Sequence, residues 1–208
     1  MSSRRALLES LLLSRLPAEF QEVEYIESSG TQYIDSGYAN ISNNQKIIAK
    51  FYNNIAGGSL FGSQQGSNRS GIFWQSVNNL QFGIGLQTAG TMIGQCSYQE
   101  IHTIEYESSL NTYSVSIDGT YLKENASYSG SNITGKNIYI FASNYQNSLE
   151  NIFKGKVYCF RIYDNSVLVR NFVPCYRKSD DEIGLYDLVN GVFYTNAGTG
   201  DFIVGGNV

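Results

Sequence analysis

An all-β chain folded as a two-sheet antiparallel sandwich, with a short N-terminal helix ahead of it, is the architecture this sequence predicts. Three observations carry that prediction. Apolar and polar residues alternate in short runs, the period of half-buried strands. Turn residues punctuate those runs at Asp164-Asn165, Asn190-Gly191 and Gly198-Thr199-Gly200. The composition is that of strands and tight turns, with 16 Tyr, 11 Phe and 21 Gly but only 2 Pro in 208 residues. That length suits one sandwich with a sizeable core.

The first element is the exception. Met1 to Arg15 reads MSSRRALLESLLLSR. Ser2 or Ser3 can cap a helix, and Pro17 ends it at Leu16. Arginines followed by leucines imitate a secretion signal. Glu9 interrupts the apolar run, Ser14-Arg15-Leu16 is a poor cleavage site, and the run is too short to span a bilayer. The expectation is neither signal nor membrane span. Leu7, Leu8, Leu11, Leu12, Leu13 and Leu16 cover most of the circumference, so the helix must bury itself against something. That partner is its own domain, or another subunit reached as a bundle or a peg. A membrane anchor ranks third, because Arg4, Arg5 and Arg15 form no single basic face. We read 1–16 as a docking element, carried by Leu7, Leu8, Leu11, Leu12 and Leu16, and 17–208 as the domain.

From Glu22 the chain reads as strands. Val23, Tyr25 and Ile34 fall in a first hairpin. Lys46–Tyr52 (KIIAKFY) is a strand, and Gly57-Gly58 turns into Ser59–Gly62. Gly71–Trp74 and Asn79–Leu86 follow. Glu100–Tyr106 and Thr112–Ile117 form a hairpin, and Ile138–Ala142 and Lys156–Tyr163 are later strands. Regular spacing with almost no helical pattern argues two packed sheets. No internal repeat is visible.

Charge and cysteine content exclude some functions. The net charge is −4 and no basic patch occurs, so nucleic-acid binding is not expected. Cys96, Cys159 and Cys175 are scattered and show no CxxC spacing, which disfavours zinc. They read as buried or half-buried thiols of a chain folded in a reducing cytoplasm. A Cys159–Cys175 bridge is the other option, because the segment between them can turn back.

Several stretches carry a resemblance. Leu16–Gly37 (LPAEFQEVEYIESSGTQYIDSG) and Lys154–Gly206 resemble concanavalin-like, laminin-G-like jelly-roll domains in virion proteins of tailed phages and related gut-bacterial surface proteins. Glu100–Gly119 (EIHTIEYESSLNTYSVSIDG) resembles the laminin-G hairpin W-H-x-V ending in D-G, with His102, Ile104 and Asp118-Gly119 at the matching positions and Ile101 in place of Trp. Gly155–Asp164 resembles the penultimate strand of that fold. The resemblance implies a concanavalin-like jelly roll that mostly binds rather than reacts.

The residues offer little chemistry. Glucanase-like jelly rolls need E-x-D-x-x-E, with carboxylates about 5 Å apart across a cleft. Here Glu105-Tyr106-Glu107 places only two on one strand face, and they read as solvated surface. His102 is the only histidine, so no Ser-His-Asp or Cys-His site can be built around a second one; it reads as a hydrogen-bonded structural residue. Gly83-Ile84-Gly85 lacks the third glycine of a dinucleotide loop. Some laminin-G-like domains hold Ca²⁺ with rim carboxylates, and Asp180, Asp181 and Glu182 are the densest acidic group here. A solvated turn fits them better, because Ca²⁺ needs six to eight oxygens. No catalytic residue, metal ligand or cofactor is expected.

Sugar binding fits the residue chemistry best, since an aromatic plate under the ring and amides on the hydroxyls recognise a pyranose. Trp74 with Asn78 is one candidate, and the exposed-looking loop Asn144-Tyr145-Gln146-Asn147 is another. The competing reading of Trp74 is a buried core residue, its usual place. The functional expectation is a non-enzymatic virion component, a fibre, tail or capsid-surface protein, assembled in the host cytoplasm. Its N-terminal segment joins other virion proteins, and its outward jelly roll binds a host-surface glycan. A bacterial surface carbohydrate-binding or adhesion module is the alternative, and the lack of a signal peptide weighs against it. No membrane partner is expected. The resemblance implies a homo-oligomer, trimer favoured, with tyrosine-rich strand faces adding contact.

Overall fold

The computed structural model describes residues 16–54, 57–76, 79–84 and 91–208, and side chains outside 73–94. The described residues form two β-sheets and no helix. The predicted helix lies outside them, except for Leu16.

The larger sheet centres on β4 (Gln45–Asn53), which pairs antiparallel with β9 (Ile101–Ser109) on one side and β15 (Gly155–Asp164) on the other. Beyond β9 lie β10 (Thr112–Ile117) and β11 (Thr120–Ser127). Beyond β15 lie β16 (Val167–Arg177), β17 (Glu182–Asp187) and β18 (Val192–Thr195). Three short strands complete it: β1 (Phe20–Glu22) on β16, β2 (Ile26–Ser28) on β15, and β19 (Ile203–Val204) on β2. The smaller sheet runs β14 (Ser148–Glu150), β13 (Ser143–Tyr145), β5 (Ser59–Gln65), β6 (Asn68–Ser76), β7 (Asn79–Ile84) and β8 (Thr91–Gln95). β12 (Asn137–Ile140) pairs with β5 and with β3 (Ile34–Ala39).

Period-2 alternation decides which face each residue takes. Ile47, Ala49 and Phe51 of β4 point inward and are fully buried, as are Val157, Phe160 and Ile162 of β15. They meet Leu60, Phe61, Ile72, Ile140 and Phe141 from the smaller sheet's side. Phe61 and Phe160 touch edge to face across the sandwich, their ring centroids 5.5 Å apart. A satellite cluster of Phe20, Cys175 and Tyr186 takes in Leu16. Leu16, assigned from sequence to docking, therefore packs on the domain itself.

Two expectations change, and one alternative closes. Val23, Tyr25 and Ile34 do not share a hairpin. The Ser29-Gly30-Thr31 turn connects β2 and β3, but they pair with β15 and β12 respectively, in different sheets. The Ile138–Ala142 strand stops at Ile140, because Phe141 has φ 67°. Its amide donates to Leu60 O (2.8 Å), and its carbonyl accepts from Phe153 N (2.7 Å), which fixes this unfavourable backbone. All three cysteines are free, so the optional Cys159–Cys175 bridge is absent. Burial pushes the Cys96 and Cys175 thiols up to about 12.

The predicted turns are where the sequence places them. Asn165 and Ser166 (φ 48° and 66°) join β15 to β16, and Asp118 and Gly119 (φ 51° and 79°) join β10 to β11. Two successive positive φ values mark a type I′ hairpin, whose twist matches that of the strands.

Asp187 ends β17 and is fully buried. Its carboxylate accepts from Asn171 N (2.8 Å), Val189 N (3.0 Å) and Asn190 Nδ2 (2.9 Å), with Arg170 Nε 3.6 Å away. Asp187→Ala leaves those donors unpaired and should cost about 3 kcal/mol. Asp187→Asn keeps the oxygen facing the two backbone amides and should recover part of that loss. Urea unfolding of both variants checks this, and equal stability of Ala and wild type would contradict it.

Candidate functional site

The outer face of the larger sheet carries a cleft of about 600 Å³ at one end of β4, β9 and β15. It is lined by Asn44, Lys46, Ile48, Glu107, Tyr163 and Asn165, with Ser109 and Ser166 at the rim. Alternation puts these residues together: Lys46 lies opposite Tyr163 on one side and Glu107 on the other, one row across three strands. Ile48 lies between Arg161 and Glu105 in the next row. Lys46 bonds Glu105, and that bond raises the lysine pKa, so the cation persists at neutral pH.

The walls are fixed by the turns. Asn44 Nδ2 donates to Asn165 Oδ1 (3.0 Å), and Asn165 N donates to Asn44 O (2.9 Å). These bonds join the segment before β4 to the β15–β16 turn. Ile41, Leu110 and Val167, on the three connections framing this end, are exposed apolar residues.

A buried polar network lies beneath this end of the sheet, and two of its members, Gln45 and Ser108, also line the cleft. Ser70 Oγ donates to Gln45 Oε1 (3.1 Å) from the opposite sheet. Asn132 Nδ2 donates to Ser108 Oγ (2.9 Å), and Asn40 Nδ2 donates to Asn132 O (2.6 Å). Tyr106 sits beside them, and burial pushes its phenol up to about 12. The network ties the two sheets together beneath the cleft, and within it Gln45 Nε2, Asn40 Oδ1 and Asn132 Oδ1 have no protein hydrogen-bond partner.

The residues picked from sequence fall elsewhere. Trp74 lies on β6, with its side chain outside the described set, and Asn78 lies outside it altogether. Asn144 is not on an exposed loop: it is 2% exposed. Its Nδ2 donates to Asn137 O and its Oδ1 accepts from Asn147 N (2.9 and 2.8 Å). The amide is spent on closing the β13–β14 turn. Tyr145 is half-buried on β13. Leu7, Leu8, Leu11 and Leu12 lie outside the described residues. The signal that points to the cleft is the outward half of KVYCFRIY, where cations alternate with tyrosines (Lys156, Tyr158, Arg161, Tyr163), beside that of KIIAKFY, which holds Lys46, Ile48, Lys50 and Tyr52.

At the far end of β9, His102 bridges two loops. Its Nδ1 is 2.6 Å from Asp118 Oδ2, and its Nε2 is 2.9 Å from Ser97 Oγ. Sequence offered no second histidine for a relay, yet a serine and an aspartate flank this one. Ser97 Oγ also donates to Glu100 Oε2 at 2.6 Å. This charge-assisted bond competes for the proton a nucleophile would need to surrender. The group works as a clamp between β9, the β10–β11 turn and the segment before β9. In the acidic turn, Arg177 grips Asp180 through Nε (2.9 Å) and Nη2 (2.6 Å), which occupies that carboxylate. Among the described residues no group of three or more His, Cys, Asp or Glu could hold a metal.

No protein-family model matches this chain, and no curated protein is significantly similar to it in sequence. Solved structures share its fold. The CBM40 of Ruminococcus gnavus IT-sialidase, bound to α2,3-sialyllactose, superposes with TM-score 0.51 at 14% identity, over 71% of this chain and 90% of that one. Domains LG4-5 of the mouse laminin α1 chain give TM-score 0.51 at 20% identity, over 72% of this chain and 44% of that one. The native heptameric SAP-like pentraxin of Limulus polyphemus gives 0.53 at 9% identity, over 92% and 97%. The chain is thus an all-β two-sheet sandwich with concanavalin-like and laminin-G-like jelly-roll neighbours, and at these identities the likeness is one of fold.

The clamp predicts a pH effect. Partial burial works against ionisation of Asp118, but the bonds from His102 and Thr103 N outweigh it and lower its pKa. A lowered folded-state pKa means the stability is fully present above the unfolded value of about 3.9 and is lost as pH falls through the folded value. Asp118→Asn should therefore lower the urea midpoint at neutral pH and leave a smaller drop on acidification below about pH 4. An unchanged acid limb would contradict this.

Proposed function

We propose that this chain is a non-enzymatic carbohydrate-binding jelly-roll module, displayed on a phage virion as a fibre, tail or capsid-surface component. The observation that carries the binding half is the cleft: one tyrosine, two linked asparagines, a lysine and a glutamate line it together. A pyranose needs that set, an apolar plate for its C–H face and fixed donors and acceptors for its hydroxyls. The sialyllactose-bound CBM40 neighbour supports the reading, because it shows a sandwich of this shape holding a sugar. The virion half rests on the resemblance of Leu16–Gly37 and Lys154–Gly206 to phage jelly rolls. In this reading the segment before Leu16 joins other virion proteins and a homo-oligomer, trimer favoured, faces a host-surface glycan. That neighbour also favours a second reading, a bacterial surface carbohydrate-binding or adhesion module, since it belongs to a bacterial sialidase.

A glycan array of the full chain should yield a defined set of ligands, and Tyr163→Ala should lower affinity for them about tenfold without loss of fold. Binding untouched by Tyr163→Ala would move the site elsewhere. Deleting Met1–Arg15 should leave a folded β domain that no longer enters its assembly, read by circular dichroism and by incorporation into particles. An unfolded product would place the helix in the core instead.

A further inference from the structure

The cleft is the first row of a longer pattern on the same face. Moving along β4 and β15 away from it, the outward residues come in cross-strand rows. Lys46 lies opposite Tyr163, and Ile48 opposite Arg161. Lys50 lies opposite the bulge at Tyr158-Cys159, and Tyr52 opposite Lys156. The bulge between Val157 and Cys159 adds one residue and directs Tyr158 outward while Val157 and Phe160 stay in the core. Every row contributes one cation, and three of the four contribute a tyrosine. From Lys46 to Tyr52 the stripe runs about 20 Å, with rows about 7 Å apart.

The rings and cations are already in contact. Lys50 Nζ stands 5.4 Å from the Tyr158 ring centroid. Lys156 Nζ stands 4.1 Å from that of Tyr25 and 5.2 Å from that of Tyr52. Tyr25 and Tyr158 meet edge to face at 5.4 Å. Lys46 and Lys156 have carboxylate partners in Glu105 and Glu27. Among the described residues no ion pair ties Lys50 or Arg161 to a carboxylate; Arg161 Nε donates to the neutral Asn171 Oδ1 (3.1 Å). Lys50 and Arg161 therefore stand in the middle rows without an ion pair, and the nearby carboxylates without one, Glu107 in the cleft and Glu24 near Tyr158, lie toward the two ends.

We propose that the stripe is an extended subsite for an acidic polysaccharide, a chain of pyranoses bearing carboxylate or sulfate groups. Its end sugar sits in the cleft, and its length runs along β4 and β15. The idea rests on the carbohydrate reading of the cleft and adds the ligand's charge, extent and direction. Tyr158 and Tyr52 supply stacking plates, and Lys50 and Arg161 pair with acidic substituents. Charge complementarity is the ground for this occupant: burying Lys50 and Arg161 under a neutral partner would strand two cations, whereas a polyanion neutralises both.

The test is calorimetric titration of the full chain with oligogalacturonates from disaccharide to hexasaccharide, with sulfated dextran as the sulfate arm and neutral dextran as the control. Affinity should rise with acidic chain length and fall with salt. Lys50→Gln and Tyr158→Ala should each weaken the acidic hexasaccharide about tenfold and leave a short ligand of the cleft unchanged. Circular dichroism keeps folding in view. If Tyr163→Ala abolishes short-ligand binding while Lys50→Gln and Tyr158→Ala change nothing, the stripe fails and the cleft stands. If acidic chains bind through Lys50 and Tyr158 with Tyr163 silent, the stripe stands and the cleft reading fails. If no acidic saccharide binds, or if both stripe variants dissociate an oligomer instead, a second copy or nothing covers this face and the proposal is overturned.

Discussion

The pairing of β4 with β15 is the constraint on which the rest of the molecule depends. These strands are more than a hundred residues apart in sequence and form the centre of the larger sheet. Their register does two jobs at once. It sends Ile47, Ala49, Phe51, Val157, Phe160 and Ile162 into the core, and it sends Lys46, Lys50, Tyr52, Tyr158, Arg161 and Tyr163 outward. A slip of one residue would exchange the two faces, placing lysines against Phe61 and phenylalanines in water. The core thus specifies the outer face. Such long-range pairing pays its loop-closure entropy before any contact rewards it, so this sheet should assemble slowly.

Much of the fold was legible because the signal was local. The alternation in Lys46–Tyr52 and Lys156–Tyr163 and the turn residues at Asp118-Gly119 and Asp164-Asn165 each lie within one short window. Failures came where the answer is long-range. The turn between Ile26 and Ile34 looks like a hairpin turn, but the partner of Ile26 is Val157, and that of Ile34 is Ile140. No window shorter than the chain contains that fact. Phe141 is a second kind of failure: its positive φ contradicts its side chain's preference and is imposed by Leu60 and Phe153.

The candidate site was less legible than the fold, for a physical reason. In the sequence, amides beside an aromatic ring single out Asn144-Tyr145. An asparagine in a tight turn is at least as useful for closing the turn as for meeting a ligand, and Asn144 is spent that way. The cleft instead joins residues from three strands, each ordinary in its own segment. Lys46, Glu107 and Tyr163 become a constellation only when the register is known. His102 shows the same limit, because the resemblance matched it with Asp118, but Ser97 and Glu100 enter only through the fold.

Tyrosine-rich strand faces suit self-association as well as sugars, so the same surface has two claimants. The charges decide between them. An isologous contact across the stripe would bring Lys50 and Arg161 of one protomer toward the same patch on its partner, cation against cation. Desolvating them there costs several kcal/mol unless a carboxylate of the partner faces them. Glu105 and Glu27 are held by Lys46 and Lys156, but Glu107 lies at the cleft end of the stripe, two rows from Lys50. A ligand that brings its own negative charge meets no such penalty, and the rings beneath it need no rearrangement. A contact between two copies through this face would therefore need a register that sets Lys50 and Arg161 against carboxylates, a demand that an acidic ligand meets directly.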